Sequence, residues 1–396
     1  MDETNVATLV WQHDIDQGGG RIGGALLPSE IDRAIRVAGP ERGEPALYLT
    51  LDGEPDRVRW RSITTVLDPT GRDLSGIEVL EFYVAADESR NLALILDLGD
   101  VSEDVFTVDR HGRTGGVRAD GRPWGLGVLD EEARAAEGEI WGPALDELGL
   151  WDDDCRAEPG RQSYPLGDPR ANCTRGNGRP DTEDLDGDGI LTDRDGALFR
   201  YVVRLDGSSP FLVRRASETG TRFRLYRIPL RGAGAALGGA GEATWRRIRY
   251  LRLTVAGRPA AGGGGDVVLA RMRLVGSRWA KRHGHGILRG VSGDDVGSTI
   301  ASFETGPASA LTDGARYASP PGAAERLGDP RTILSGAGTG INEQALRLVY
   351  RDLAPGDRAE AYLRYPHEGR DFLDYREPRL YAVPRAGRRD GGELLA

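Results

Sequence analysis

The stretch Asp184-Leu-Asp-Gly-Asp-Gly-Ile-Leu-Thr-Asp-Arg-Asp195 sets acidic residues at alternate positions around glycines. Its spacing fits a calcium loop. Asp184, Asp186 and Asp188 take ligand positions one, three and five, and Gly189 falls at the sharp turn. The Ile190 carbonyl, Thr192 and Asp195 complete the pattern at the seventh, ninth and twelfth places. Ca²⁺ wants about six to eight hard oxygens, and alternate acids on a tight turn bring theirs to one point. Without a cation, carboxylates that close repel one another. The last position holds Asp instead of Glu, so its reach is shorter. The flanks, Gly176-Asn-Gly-Arg-Pro180 and Gly196-Ala-Leu-Phe199, do not read as paired helices. The expectation is an isolated loop with a structural Ca²⁺, and a solvated acidic turn is the alternative.

Other chemical signals are weaker. Cys155 and Cys173 lie in a polar Gly/Pro-rich stretch, close enough to close a disulfide ring, which would imply an oxidising compartment. Two unpaired thiols are the alternative. Gly18-Gly-Gly-Arg-Ile-Gly23 matches a dinucleotide-binding glycine pattern, but antiparallel β sequence follows it where a strand–helix–strand unit is needed. Gly336-Ala-Gly-Thr-Gly340 lacks a phosphate-binding lysine. His283-Gly-His285 lacks a third ligand. No nucleophile elbow and no His-Glu-x-x-His occurs. These absences set the expectation of a protein that is not an enzyme.

Strands must position the loop, because helical periodicity is scarce. Ala46–Leu51, Ser62–Leu67, Val79–Ala85 and Leu92–Leu98 form a first group of strand patterns. Phe199–Leu205, Arg222–Ile228, Ile248–Val255 and Val267–Val275 form a second. Many alternate apolar residues with Arg, the mark of an antiparallel sheet with one buried and one wet face. Arg suits the wet face because its stem covers apolar surface while its head stays solvated. The best helix candidate is Pro28–Arg36 with Ser29 as N-cap, and a second is Asp130–Ala136. The expected fold is mainly β: an antiparallel, jelly-roll-like β-sandwich with a long calcium-loop insertion, then a second β-module.

The boundaries follow from these patterns. Residues 1–42 read as a connecting segment and 43–276 as the sandwich, with the insertion at 99–197. Residues 277–396 read as a second module, truncated because its strand patterns (299–304, 344–352, 358–365, 379–383) stop before a sandwich closes. Among 396 residues, 52 Lys and Arg face 62 Asp and Glu, leaving a net charge of −10. That balance argues against nucleic acid as a partner. No apolar run is long enough for a transmembrane helix. Met1 is followed by Asp-Glu-Thr-Asn, so no signal peptide is expected within this chain, as in a slice of something longer.

Several segments, in one order, resemble the SprA (Sov) family of very large cell-surface proteins of gliding bacteria. They are Trp60–Leu67, Asp73–Val84, Leu96–Asp104, Asp146–Leu150, Glu183–Asp188, Arg247–Leu253, Tyr317–Gly322, Asn342–Leu348 and Pro355–Ala359. The family forms the outer-membrane translocon of the type 9 secretion system, a very large β-barrel with soluble inserts. The resemblance implies a non-enzymatic, soluble insert module of such a translocon, exported to the cell surface or outer membrane. Its implied partners are other parts of the translocon, accessory subunits or secreted proteins. The Cys155–Cys173 insert is a departure from the family. A free-standing, calcium-stabilised sandwich that binds carbohydrate is the alternative, with Trp124, Trp141 and Trp151 as its platform.

Overall fold

The computed structural model describes residues 8–12, 15–16, 22–23, 25–37, 40–52, 56–105, 126–127, 129, 182–259, 266–276, 279–285, 302–309, 313, 317, 319–320, 345–351, 357–363, 380–386 and 391–395. Four short strands come first, β1 (Thr8–Gln12), β2 (Ile15–Asp16), β3 (Ile22–Gly23) and β4 (Ala25–Leu26), then one helical turn, α1 (Pro28–Ile31). Four longer strands follow: β5 (Glu44–Asp52), β6 (Arg59–Val66), β7 (Ile77–Ala85) and β8 (Ala93–Gly99). Beyond the insertion lie β9 (Leu198–Arg204), β10 (Leu212–Arg214), the turn α2 (Ala216–Thr219), β11 (Arg224–Pro229), β12 (Ala235–Leu237), β13 (Tyr250–Gly257) and β14 (Asp266–Gly276).

These strands make two sheets, ordered β1-β5-β14-β7-β11-β10, with β4 also on β5, and β12-β9-β8-β13-β6. Setting aside the short additions leaves two quartets, β5-β14-β7-β11 and β6-β13-β8-β9. In chain order these are strands one, eight, three and six against two, seven, four and five, which is a jelly roll. The chain is a nested hairpin. β8 with β9 is innermost, and β6 with β13 and β5 with β14 close round it. The insertion therefore sits at the hairpin's tip.

The period-two pattern decides what is buried. Leu94, Leu96 and Leu98 of β8 stand opposite Val203, Tyr201 and Phe199 of β9 and opposite Val255, Leu253 and Leu251 of β13. All but Leu251 are buried. The first sheet contributes Phe82, Val84 and Tyr226 to the core, with the Phe82 and Tyr226 rings stacked at 5.8 Å. Two hydrogen bonds cross between the sheets. The Tyr201 hydroxyl donates to the Leu230 carbonyl at 2.7 Å, and Arg224 Nη1 donates to the Leu205 carbonyl at 2.8 Å. They satisfy polar groups that burial would otherwise penalise.

The N-terminal segment departs from expectation. α1 is a single turn, not a helix to Arg36, and its N-cap is Leu27, whose amide donates to the Glu30 carboxylate at 2.7 Å. Asp32 leaves the helix in an extended conformation because its buried carboxylate accepts from the Tyr83 hydroxyl and pairs with Arg214. Tertiary partners override helical propensity here. The stretch read as connecting also supplies β1 and β4, both paired with β5.

The chain divides into two units: Met1–Arg33, Arg42–Ser75 and Leu80–Arg273 in the first, and Ala34–Glu41, Gly76–Val79 and Leu274–Ala396 in the second. The second holds β15 (Ala280–His285), β16 (Ser302–Ala308), β17 (Ala345–Arg351), β18 (Asp357–Tyr362), β19 (Val383–Ala386) and β20 (Gly391–Leu395). β15 pairs with β18, and the others form an antiparallel sheet ordered β16-β17-β20-β19. No helix among the described residues is long and apolar enough to cross a membrane.

Candidate metal centre

The outgoing and returning ends of the insertion continue the β8–β9 pairing. Asp100 N–H donates to the Ala197 carbonyl at 3.0 Å, Gly196 N–H to the Asp100 carbonyl at 2.9 Å, and Glu103 N–H to the Thr192 carbonyl at 2.9 Å. Gly99 allows this approach. Its φ is +144°, and a Cβ there would sit 2.3 Å from the Ala197 carbonyl oxygen. Beneath the two ends, Val101, Leu198 and Tyr250 form a buried apolar plug, with Leu185 and Val66 packed against it.

The acidic loop winds back over this plug. The Asp184 carboxylate accepts from the Asp188 amide at 2.9 Å and the Gly189 amide at 2.8 Å, so it folds the turn around itself. Gly187 and Gly189 both take left-handed conformations, φ +75° and +76°, which a side chain would disfavour. Asp188 Oδ1 accepts from the Ile190 amide at 2.8 Å.

Glu103 enters from the outgoing end. It is 2% exposed. Its Oε1 accepts from the Leu185 amide at 3.0 Å, the Asp186 amide at 3.3 Å and the Tyr250 hydroxyl at 2.8 Å. Its Oε2 accepts from the Thr192 amide at 3.4 Å. Asp186 faces it, with its side chain 4% exposed. Asp186 Oδ2 takes Arg249 Nη1 and the Tyr250 hydroxyl, each at 2.8 Å. Asp186 Oδ1 is buried and has no hydrogen-bond partner. One oxygen from each of Glu103, Asp184 and Asp186 lies within 4.8 Å of the others.

Tyr250 sharpens the imbalance. Burial, then its bonds to Asp186 and Glu103, push its hydroxyl far above the ordinary tyrosine range, so it stays protonated. It carries one proton, yet two carboxylate oxygens lie at 2.8 Å. One of them goes without that proton.

The twelfth loop position is placed elsewhere. Asp195 accepts both terminal nitrogens of Arg252, at 2.8 and 2.7 Å, and the Ser102 amide at 2.9 Å. Burial raises its pKa, but the Arg252 and Ser102 bonds outweigh burial and hold the carboxyl below the usual aspartate value. Arg252 also reaches Asp97, which is fully buried between Arg252 and Arg200 on the outer face of the second sheet.

Of the residues expected from spacing, the fold thus groups Asp184 and Asp186. Asp188 lies on the exposed side of the turn, and the Ile190 side chain is 67% exposed. Thr192 meets Glu103 through its backbone amide and carbonyl. Spacing missed Glu103, which stands about eighty residues before the loop. The one signal for it was the acidic run that closes Leu96–Asp104. Cys155, Cys173, Trp124, Trp141 and Trp151 lie outside the described residues.

A separate recess of about 680 Å³ lies among Val58, Arg90, Asn91, Ala93, Ala256 and Arg258. No aromatic ring lines it among the described residues. No family model, curated protein or solved structure matches the chain.

Proposed function

We propose that the chain is a non-enzymatic module of a SprA-like outer-membrane protein translocon. In this reading the jelly roll is a rigid frame. The insertion at the hairpin's tip is what it presents to accessory subunits or to secreted proteins. One observation carries the reading. Five of the nine segments that resemble the family fall on the frame and on the acidic centre. Trp60–Leu67 covers β6, and Asp73–Val84 leads through β7. Leu96–Asp104 ends β8 and reaches Glu103, Glu183–Asp188 is the acidic turn, and Arg247–Leu253 enters β13 and carries Tyr250.

Such a role needs no catalytic group. At the acidic centre Glu103, Asp184 and one oxygen of Asp186 accept from backbone amides, an arginine and a tyrosine hydroxyl. The test is genetic. An in-frame deletion of residues 43–276 from the encoding gene should stop export of proteins carrying the type 9 signal, and the intact gene should restore it. Normal export from the deletion strain overturns the reading.

A further inference from the structure

We propose that Glu103, Asp184 and Asp186 bind one Ca²⁺, and that this ion clips the outgoing and returning ends of the insertion together over Tyr250. The inference does not depend on the export reading. It also differs from the ligand set that loop spacing implies, because Glu103 replaces Asp195.

Three observations converge. The first is proximity: three carboxylate oxygens within 4.8 Å of one another, from residues brought together by strand pairing. The second is the orphan oxygen. Asp186 spends Oδ2 on Arg249 and Tyr250, while its Oδ1 is buried with no partner. A buried, unpaired carboxylate oxygen is costly, and a cation relieves the cost. The third is charge. Arg249 approaches Asp186 but also pairs with Asp100, so one guanidinium serves two acids. Among the described residues, no arginine pairs with Glu103.

The donors are all oxygen, with no histidine or thiolate, which selects a hard cation. Backbone carbonyls and water fill the remaining places on Ca²⁺, whose geometry is tolerant. Mg²⁺ demands a near-ideal octahedron and sheds water reluctantly. The rival is an acidic turn held by its amides, Arg249 and Tyr250 alone. It predicts no metal binding.

Calorimetry on the whole chain, stripped of metal by chelation, decides between them. Calcium chloride should give heat for one ion per chain and raise the melting temperature by mass action. Magnesium chloride should bind about tenfold or more weakly. Glu103→Gln and Asp186→Asn should each weaken Ca²⁺ binding by about tenfold or more, while keeping a cooperative melt in chelator. Asp195→Asn should leave Ca²⁺ affinity within about threefold of the parent, since Asp195 is spent on Arg252. If Glu103→Gln does not fold, Asp186→Asn decides by the same readout. The proposal fails if the parent shows neither heat nor melting shift, if Glu103→Gln binds as the parent does, or if Asp195→Asn alone abolishes binding. Equal affinity for Mg²⁺ overturns the assignment to calcium.

Discussion

At the residue scale, the second sheet holds its buried charge in one paired set. On its outer face Asp97 sits with no exposure between Arg200 and Arg252, and Arg252 passes the charge on to Asp195. Removing one member of such a buried set leaves the others uncompensated. Asp97→Asn should therefore lower stability by roughly 3 kcal/mol, read as a fall in the urea midpoint with an unchanged slope. Asp195 makes the acid limb testable. Its folded pKa lies below the ordinary value, so its contribution is full above the unfolded pKa and is lost as pH falls through the folded one. Stability should hold down to about pH 5 and decline below about pH 4. Asp195→Asn should flatten that decline, and an unaltered decline would remove Asp195 from the account. The acidic loop itself was legible in the sequence, since both its glycines are needed at positive φ. Glu103 was not, because spacing can report only neighbours along the chain. Strand pairing brings a carboxylate across the insertion, and no local pattern records that pairing.

At the element scale, the eight strand patterns marked in the sequence are the eight strands of the jelly roll, with ends shifted by a few residues. They were legible because apolar residues recur at every second position, as in β13, where Leu253 and Val255 alternate with Arg252 and Thr254. α1 was over-read. Its apolar periodicity continues past Ile31, but burial of Asp32 against Tyr83 and Arg214 ends the helix after one turn. β1, β4, β10 and β12 were missed because they are short and gain their order from longer neighbours. Two predictions belong here. Gly99→Ala should destabilise the first unit by roughly 1–3 kcal/mol, since its Cβ meets the Ala197 carbonyl, and thermal unfolding measures it. Replacing residues 106–181 by a short Gly/Ser linker should leave a cooperative unfolding transition. Val105 N–H already reaches Glu183 Oε1 at 2.6 Å, so the ends meet without the excised stretch. A non-cooperative product would show that the stretch is part of the core.

At the scale of the whole molecule, the nested hairpin explains why this fold carries about a hundred residues between two adjacent strands. The insertion leaves and re-enters at the tip, where no outer strand pair has to be threaded past it. What must be controlled is the pair of ends, and there the apolar plug, three continued backbone bonds and the acidic centre all lie. The proposed Ca²⁺ locks those ends. Hydrogen exchange on the whole chain, with and without calcium chloride, tests it most directly. A bound cation should slow exchange at the amides of Leu185, Asp186 and Thr192, which all donate to Glu103. The added protection should concentrate in residues 100–105 and 182–197 and vanish in Glu103→Gln. Protection that is unchanged by calcium at those amides, or that persists undiminished in Glu103→Gln, would contradict it.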